Sequence, residues 1–260
     1  LNPATAGTDQ LIGDAGNNVL IGGSGQDSIT LGIGYSVILG DNGNATFTAA
    51  GVLTFISTSD PTAGDIDTIT GASGSNVIFG GAAADIINVN DLGDVIFGDN
   101  GNATFTSAGV LISLTSSDPS SGGNDTITTG IGANVVIGGP GVDTMTGGIG
   151  DNILLGDQGM ATFDAVAGKS IVRSVKSIDT GVGGNDIING GQGKNIAFGG
   201  FGTDTMTGDA VGNILAGDNA EAIFDSAGLL LSLTSSEPGT GDADTITTGI
   251  GSNVIFGGVG

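Results

Sequence analysis

The sequence predicts an all-β protein, a parallel β-roll or β-solenoid with 18 residues per turn. Three observations predict this fold: a long unit of 58 residues repeats along the chain, a nine-residue rhythm runs inside each unit, and glycine fills 53 of the 260 positions. Nine residues with a glycine turn, an Asp or Asn and a three-residue strand make half a turn. Stacked turns of this kind hydrogen-bond about 4.8 Å apart.

The long unit is marked by GDxG turns that begin at Gly40, Gly98, Gly156 and Gly217, with spacings of 58, 58 and 61 residues. Each unit is predicted to hold three turns of the solenoid plus a short loop. The predicted organisation is one continuous solenoid made of a partial repeat at 1–39, repeats at 40–97, 98–155 and 156–216, and a partial repeat at 217–260. The repeat at 156–216 carries a three-residue insertion.

The third turn of each unit is the least regular one. Phe105 to Leu114 is a step of nine residues, and Leu114 to Ile127 is a step of thirteen. The same two steps recur in other units, so we expect this stretch to be a turn lengthened by four residues.

The composition excludes several classes of function. There are 27 acidic against 4 basic residues, which gives a net charge of -23. Nucleic acid and anionic membranes need Lys and Arg to replace counterions, so neither is expected as a partner, and direct membrane insertion is not expected. The chain has no Cys and no His. Any bound metal must therefore be a hard ion that prefers oxygen ligands.

The acids are placed on one side of the predicted roll, because nonapeptides two apart lie on the same edge. This Asp edge consists of Asp9, Asp27, Asp67, Asp85, Asp125, Asp143, Asp186, Asp204 and Asp244. Where the series is interrupted by Ala45, Ala103, Ala161 and Ala222, a GDxG turn supplies an acid four residues earlier. These GDxG aspartates are Asp41, Asp99, Asp157 and Asp218.

Carboxylates stacked at this spacing repel one another by roughly 1 kcal/mol per pair in bulk water and several-fold more at a desolvated edge. Counter-cations are therefore expected along the Asp edge. Carboxylates combined with turn carbonyl oxygens suit Ca2+, which accepts irregular shells of six to eight oxygens. We expect Ca2+ as the cofactor, with the Asp edge and the GDxG aspartates as its ligands. The alternative is an acidic face that is merely solvated.

The opposite edge carries mainly asparagine. This Asn edge consists of Asn18, Asn76, Asp94, Asn134, Asn152, Asn195, Asn213 and Asn253. Stacked Asn side chains can form a hydrogen-bonded ladder without any metal. Whether the Asn edge binds ions is left open by the sequence.

The two broad faces of the roll are predicted to differ. Strands after the Asn edge are apolar at all three positions, so one face is expected to be exposed and apolar and to drive self-association into filaments. The residues of this predicted apolar face are Val77, Phe79, Val95, Phe97, Val135, Ile137, Val254 and Phe256. The alternative is that sequence outside this segment covers the face.

Strands after the Asp edge read Thr-x-Thr, for example at 68–70 and 126–128. Ladders of this type also occur on ice-binding solenoids, which supplies a further functional hypothesis. The SLT strand of every third turn is expected to interrupt the ladder.

Three nonapeptides, GGSGQDSIT (22–30), GGPGVDTMT (139–147) and GGFGTDTMT (199–207), resemble the GGxGxDxUx repeat of the RTX, or hemolysin-type calcium-binding, family. The resemblance implies a parallel β-roll that holds calcium in its turns. It also implies secretion by a Gram-negative type of bacterium and folding triggered by calcium outside the cell. On this resemblance Asp27, Asp143 and Asp204 are the firmest ligands, followed by Asp85.

No catalytic constellation is visible, since the acids form a ladder and do not converge on a pocket. The predicted function is that of a calcium-binding extracellular structural repeat protein, not an enzyme, which forms or extends a filament or a cell-surface adhesin. The alternative is the calcium-dependent repeat domain of a secreted toxin or hydrolase. A second alternative is an ice-binding solenoid.

Overall fold

The computed structural model describes residues 7–71, 73–90, 92–209 and 212–258. Every regular element within these residues is a β-strand. No helix in this part of the chain is long and apolar enough to cross a membrane. The strands form two parallel sheets and one antiparallel sheet.

The first parallel sheet contains the strands that follow the Asp edge, and we call it the Asp sheet. In the order in which they pair, its strands are β1 (Gln10–Gly13), β3 (Ser28–Leu31), β7 (Thr68–Thr70), β9 (Ile86–Asn88), β13 (Thr126–Thr128), β15 (Thr144–Thr146), β19 (Ile187–Asn189), β21 (Thr205–Gly208) and β25 (Thr245–Thr248). The register pairs Ile69 with Ile87 and Ile127 with Met145, two residues that are 18 apart in each case. The predicted 18-residue turn is therefore confirmed.

The second parallel sheet contains the strands that follow the Asn edge, and we call it the Asn sheet. Its strands are β2 (Asn18–Ile21), β4 (Ser36–Leu39), β8 (Val77–Phe79), β10 (Val95–Phe97), β14 (Val135–Ile137), β16 (Ile153–Leu155), β20 (Ile196–Gly200), β22 (Ile214–Asp218) and β26 (Val254–Phe256). The middle residues of the strands in both sheets point inward and form the narrow core of the roll, as at Ile78 and Ile127.

The third sheet corrects the prediction of three turns per unit. The stretch expected to be a lengthened third turn leaves the roll as an antiparallel β-hairpin, and the hairpins of successive units pair into one hairpin sheet. Its strands are β5 (Gly43–Phe47), β6 (Leu53–Thr58), β11 (Gly101–Phe105), β12 (Leu111–Ser116), β17 (Gly159–Val166), β18 (Lys169–Ser177), β23 (Ala220–Phe224) and β24 (Leu230–Ser235).

Local turn chemistry explains the hairpins. In the first hairpin the N–H of Thr48 donates to the carbonyl oxygen of Val52 (2.8 Å), and the N–H of Gly51 donates to that of Thr48 (2.9 Å). Gly51 has a φ of 79° with open space around its Cα, so the left-handed backbone is what requires glycine there. A turn of this kind reverses the chain, whereas the turns of the roll advance it to the next coil.

The hairpin sheet also corrects the prediction of an exposed apolar face. Val77, Phe79, Phe97 and Ile137 are at most 2 % exposed. Val95, Val135 and Phe256 are partly buried, and Val254 at the last strand is 43 % exposed.

The cover comes from this chain itself, because hairpin residues such as Phe105, Leu114 and Phe163 pack in the same cluster as the Asn sheet. Strands that are apolar at every position are strands buried on both faces. A three-residue strand with no polar position is thus explained by two cores, one on each side of the Asn sheet.

The Thr-x-Thr ladder is also more regular than expected. Because the SLT strands lie in the hairpin sheet, they do not interrupt the Asp sheet. The outer face of the Asp sheet is therefore one continuous ladder, and its threonines are exposed or partly exposed.

Candidate metal sites

A row of hydrogen bonds joins the Asp edge from coil to coil. The backbone N–H of each aspartate donates to Oδ1 of the aspartate on the next coil at 2.7–2.9 Å, from Asp9 to Asp244. For example, Asp125 donates to Asp143, and Asp143 donates to Asp186. These bonds fix the carboxylates in a line and leave the second oxygen of each one facing the turn.

The second oxygen, Oδ2, is buried without a hydrogen-bond partner among the described residues. This holds for Asp27, Asp67, Asp85, Asp125, Asp143, Asp186, Asp204 and Asp244. A buried acceptor with no donor is costly, and an ionised one is more costly still. Asp9 differs because it is exposed at the first coil.

Each of these Oδ2 atoms shares a small space with a backbone carbonyl oxygen of the next coil. A Cβ added to Gly138 would overlap both Oδ2 of Asp143 and the carbonyl oxygen of Gly156. The same crowding occurs at Gly22, Gly40, Gly80, Gly98, Gly156, Gly199 and Gly217. Two acceptors meet there with no donor between them, so a cation or a proton has to fill the space.

Burial, reinforced by repulsion between neighbouring carboxylates, raises the pKa of these groups in the metal-free chain. The pKa of Asp67 and of Asp186 rises to about 8, and that of Asp204 to about 7. The pKa of Asp85 rises to about 10, with the charge of Asp125 as the second cause. The ionised edge is therefore unfavourable without a counter-charge.

The chain does not supply that counter-charge from its own side chains. Arg173 pairs with Asp164 (3.3 Å) and Lys176 with Glu221 (3.8 Å), both on the hairpin sheet. No ion pair formed within the described ranges reaches the Asp edge. Neutralising cations must come from solution.

The Asn edge provides an internal comparison. Oδ1 of Asn152 accepts the N–H of Asn134 (3.1 Å), as Oδ1 of the aspartates does. Its Nδ2, however, donates to the carbonyl oxygen of Gly190 (3.1 Å), and both atoms border the space above Gly147. An amide N–H thus lies where the Asp edge has a second acceptor. The Asn edge forms a hydrogen-bonded ladder without an ion.

The GDxG aspartates are buried at the base of the hairpins and are not rungs of the Asp edge. Asp157 accepts the N–H of Gly184 (2.9 Å) on Oδ1 and that of Phe201 on Oδ2. Related bonds run from Gly123 to Asp99, from Ala82 to Asp41 and from Asp242 to Asp218. These bonds fix the segment that returns from each hairpin to the Asp sheet. A metal-binding role for these four residues stays a prediction.

The residues present fit calcium. No group of three or more acidic side chains in the described part of the chain could hold a metal by itself. Backbone carbonyl oxygens must therefore complete any coordination shell, and Ca2+ accepts such mixed shells readily. Mg2+ requires a regular octahedron and zinc prefers nitrogen or sulfur, so neither suits this arrangement.

The fold and these sites define a calcium-binding parallel β-roll. The chain belongs to the family of RTX calcium-binding nonapeptide repeats, which it matches at residues 3–38, 62–91, 120–159, 180–215 and 238–260. Repeats of this family bind Ca2+, and proteins that contain them are typically secreted. Apart from Gly159, the four hairpins fall in the gaps between the matched ranges. No curated protein sequence matches the chain.

Sequence reasoning placed the aspartates on one edge but missed the carbonyl partners. It attributed the glycines to tight corners, yet the first glycine of each Asp-edge turn is needed because its missing Cβ leaves room for two oxygens. The signal was present in the sequence, since glycine recurs five residues before each of these aspartates, as at Gly138 and Asp143.

Proposed function

We propose that this chain is a calcium-dependent structural segment of a secreted protein, in which Ca2+ binds between successive coils along the Asp edge. The proposed ligands are one carboxylate oxygen from each buried aspartate of that edge and the carbonyl oxygens of the glycine turns. Calcium then does for the Asp edge what amide N–H groups do for the Asn edge.

One observation carries this proposal. The two edges share the same backbone bonds, but one has a donor facing the carbonyl oxygen of the next coil and the other has a carboxylate oxygen. The second arrangement repels unless a cation lies between the two oxygens.

An extracellular location is supported by calcium supply. Sites of extracellular modules bind calcium with dissociation constants of roughly 10⁻⁴–10⁻³ M, which suits abundant external calcium. The absence of Cys means that disulfides cannot stabilise the fold, so calcium would take over that role. Calcium would then couple folding to arrival outside the cell.

A role as spacer is supported by the stacking of the coils. Nine strands in each parallel sheet span roughly 40 Å at about 4.8 Å per coil, in one direction. Such a rod would extend an adhesin or a filament. The covered apolar face gives no basis for lateral association, so the chain would act as an extender.

The direct test exchanges the two kinds of rung. In Asp143→Asn the new amide can donate to the Gly156 carbonyl oxygen, so we expect fewer bound calcium ions in calorimetric titration. The same variant should unfold in EDTA at a higher temperature, with a gain of about 1–3 kcal/mol from removing a buried unpaired acceptor.

The matched control is Asn152→Asp on the Asn edge, which should have the opposite effect on stability in EDTA. If both variants bind as many ions as the parent and unfold in EDTA at its temperature, the Asp-edge oxygens are not the calcium ligands.

The continuous Thr-x-Thr ladder favours a second candidate function, binding to ice. Thr126, Thr128, Thr144 and Thr146 form two adjacent rungs on a parallel sheet, and their side chains face outward. Every third rung departs from the pattern, as at Ile86 and Asn88, so the matching surface is interrupted regularly.

This function is tested by thermal hysteresis of the calcium-loaded chain. Thr144→Lys should remove the activity, whereas Thr104→Lys on the hairpin sheet should leave it unchanged. Freezing at the same temperature as buffer would exclude ice binding.

A further inference from the structure

A long apolar groove lies between the Asn sheet and the tips of the hairpins. Its volume is about 780 Å³, and it is partly open to solvent. One wall contains the first residues of Asn-sheet strands, such as Val135 and Ile196, and the other contains hairpin residues such as Phe105 and Phe163. From β8 to β22 the groove crosses six strands of the Asn sheet, a length of roughly 24 Å at about 4.8 Å per strand.

The groove is least like a plain repeat in one unit. All four basic residues of the chain lie in the unit 156–216, the one with the three-residue insertion. That insertion lengthens the hairpin β17–β18, whose tip residues Gly168 and Ser170 line the groove. Lys169 lies between these two tip residues.

Two of the four cations are already used, because Arg173 and Lys176 form ion pairs on the hairpin sheet. Lys194 lines the groove on the opposite wall, with its aliphatic stem against Gly212. It forms no ion pair with any acid in the described ranges. Asp151, which also lines the groove, accepts the backbone N–H of Lys194 (2.7 Å). In a chain with a net charge of -23, a cation at an apolar groove is an exception.

We propose that this groove binds a long-chain fatty acid, with the acyl chain along the apolar walls and the carboxylate at Lys194. The apolar length suits a linear hydrocarbon, whose burial is favourable at about 25 cal/mol per Å². The Lys194 ammonium then pairs with the one charge of the ligand.

A peptide fits this groove less well. Its walls are faces of two sheets, which present side chains, so the backbone of an extended peptide would find no strand edge to pair with. The proposal goes beyond calcium binding, although the calcium-loaded fold has to be present for the groove to exist.

The test uses the calcium-saturated chain and the fluorescent fatty acid 11-(dansylamino)undecanoic acid at low micromolar concentration. We expect enhanced, blue-shifted emission that sodium dodecanoate displaces more effectively than dodecanol. Lys194→Met keeps the stem and should weaken probe binding at least fivefold. Arg173→Met, which removes a cation on the hairpin sheet, should leave binding unchanged.

A groove-filling variant, Val135→Phe, should abolish binding while circular dichroism shows the same calcium-loaded fold. The proposal is overturned if the probe emission does not change, or if Lys194→Met and Val135→Phe bind the probe as the parent does. It is also overturned if sedimentation shows a dimer that Val135→Phe converts to monomer, because a second copy then occupies the groove.

Discussion

The difference between Asp143 and Asn152 shows how a single side-chain atom sets the calcium dependence of a coil. Both residues accept a backbone N–H on Oδ1 from the coil before them. They differ only in the second terminal atom, which is an acceptor in one and a donor in the other. The sequence predicted this division into two edges, because Asp and Asn alternate every nine residues.

At the residue scale, the first test concerns the space for the two oxygens. Gly138→Ala places a methyl group against Oδ2 of Asp143 and the Gly156 carbonyl oxygen, so we expect a loss of stability of about 1–3 kcal/mol with calcium present. Gly239→Ala is the control, because a Cβ there meets no atom within 4 Å. Equal unfolding midpoints in denaturant for the two variants would show that the space is not filled.

The second residue-scale prediction concerns pH in the metal-free chain. The pKa of Asp67 and of Asp186 is raised by burial to about 8, from an ordinary value of 3.8. Between these values the folded chain binds more protons than the unfolded chain, so stability falls as pH rises. In EDTA the melting temperature should therefore be higher at pH 5 than at pH 8.

Saturating calcium should reduce this pH dependence, since the ion replaces the protons. A melting temperature in EDTA that rises from pH 5 to pH 8 would contradict the assignment of buried, unpaired carboxylates.

At the scale of elements, periodicity predicted the coils but not the hairpins. Phe105 and Leu114 are nine residues apart, the same step as half a coil, yet Phe105 pairs with Leu111 across an antiparallel turn. A count of residues gives the spacing of inward side chains and carries no information on chain direction. The local signal was an alternating pattern on both sides of a Ser-Ala-Gly turn, which is typical of a hairpin.

The hairpins make a second core, which a substitution at Phe97 tests. Phe97 is 1 % exposed and stacks on Phe79 with ring centroids 4.5 Å apart. Phe97→Ala should cost about 3–5 kcal/mol in chemical denaturation with calcium present. Phe55→Ala, at a side chain that is 37 % exposed, should cost about 1 kcal/mol or less. Similar losses for both variants would mean that the hairpin sheet does not cover the Asn sheet.

On the scale of the whole molecule, the family repeat and the hairpin divide the work. The matched repeats form the roll with its two ladders, and the inserted hairpins cover one face of that roll. The cover could not be predicted from the apolar strands alone, because an exposed face and a face buried by the same chain have the same sequence pattern. One element of this cover, the lengthened hairpin β17–β18, also borders the groove beside Lys194.

The central claim is that the ionised Asp edge holds together only with calcium. The most direct measurement is far-ultraviolet circular dichroism at pH 7.5, first with calcium, then with excess EDTA, and then with calcium or magnesium restored. We predict that the β-sheet signal is lost in EDTA and recovered with calcium but not with magnesium. A spectrum that EDTA leaves unchanged would contradict the account.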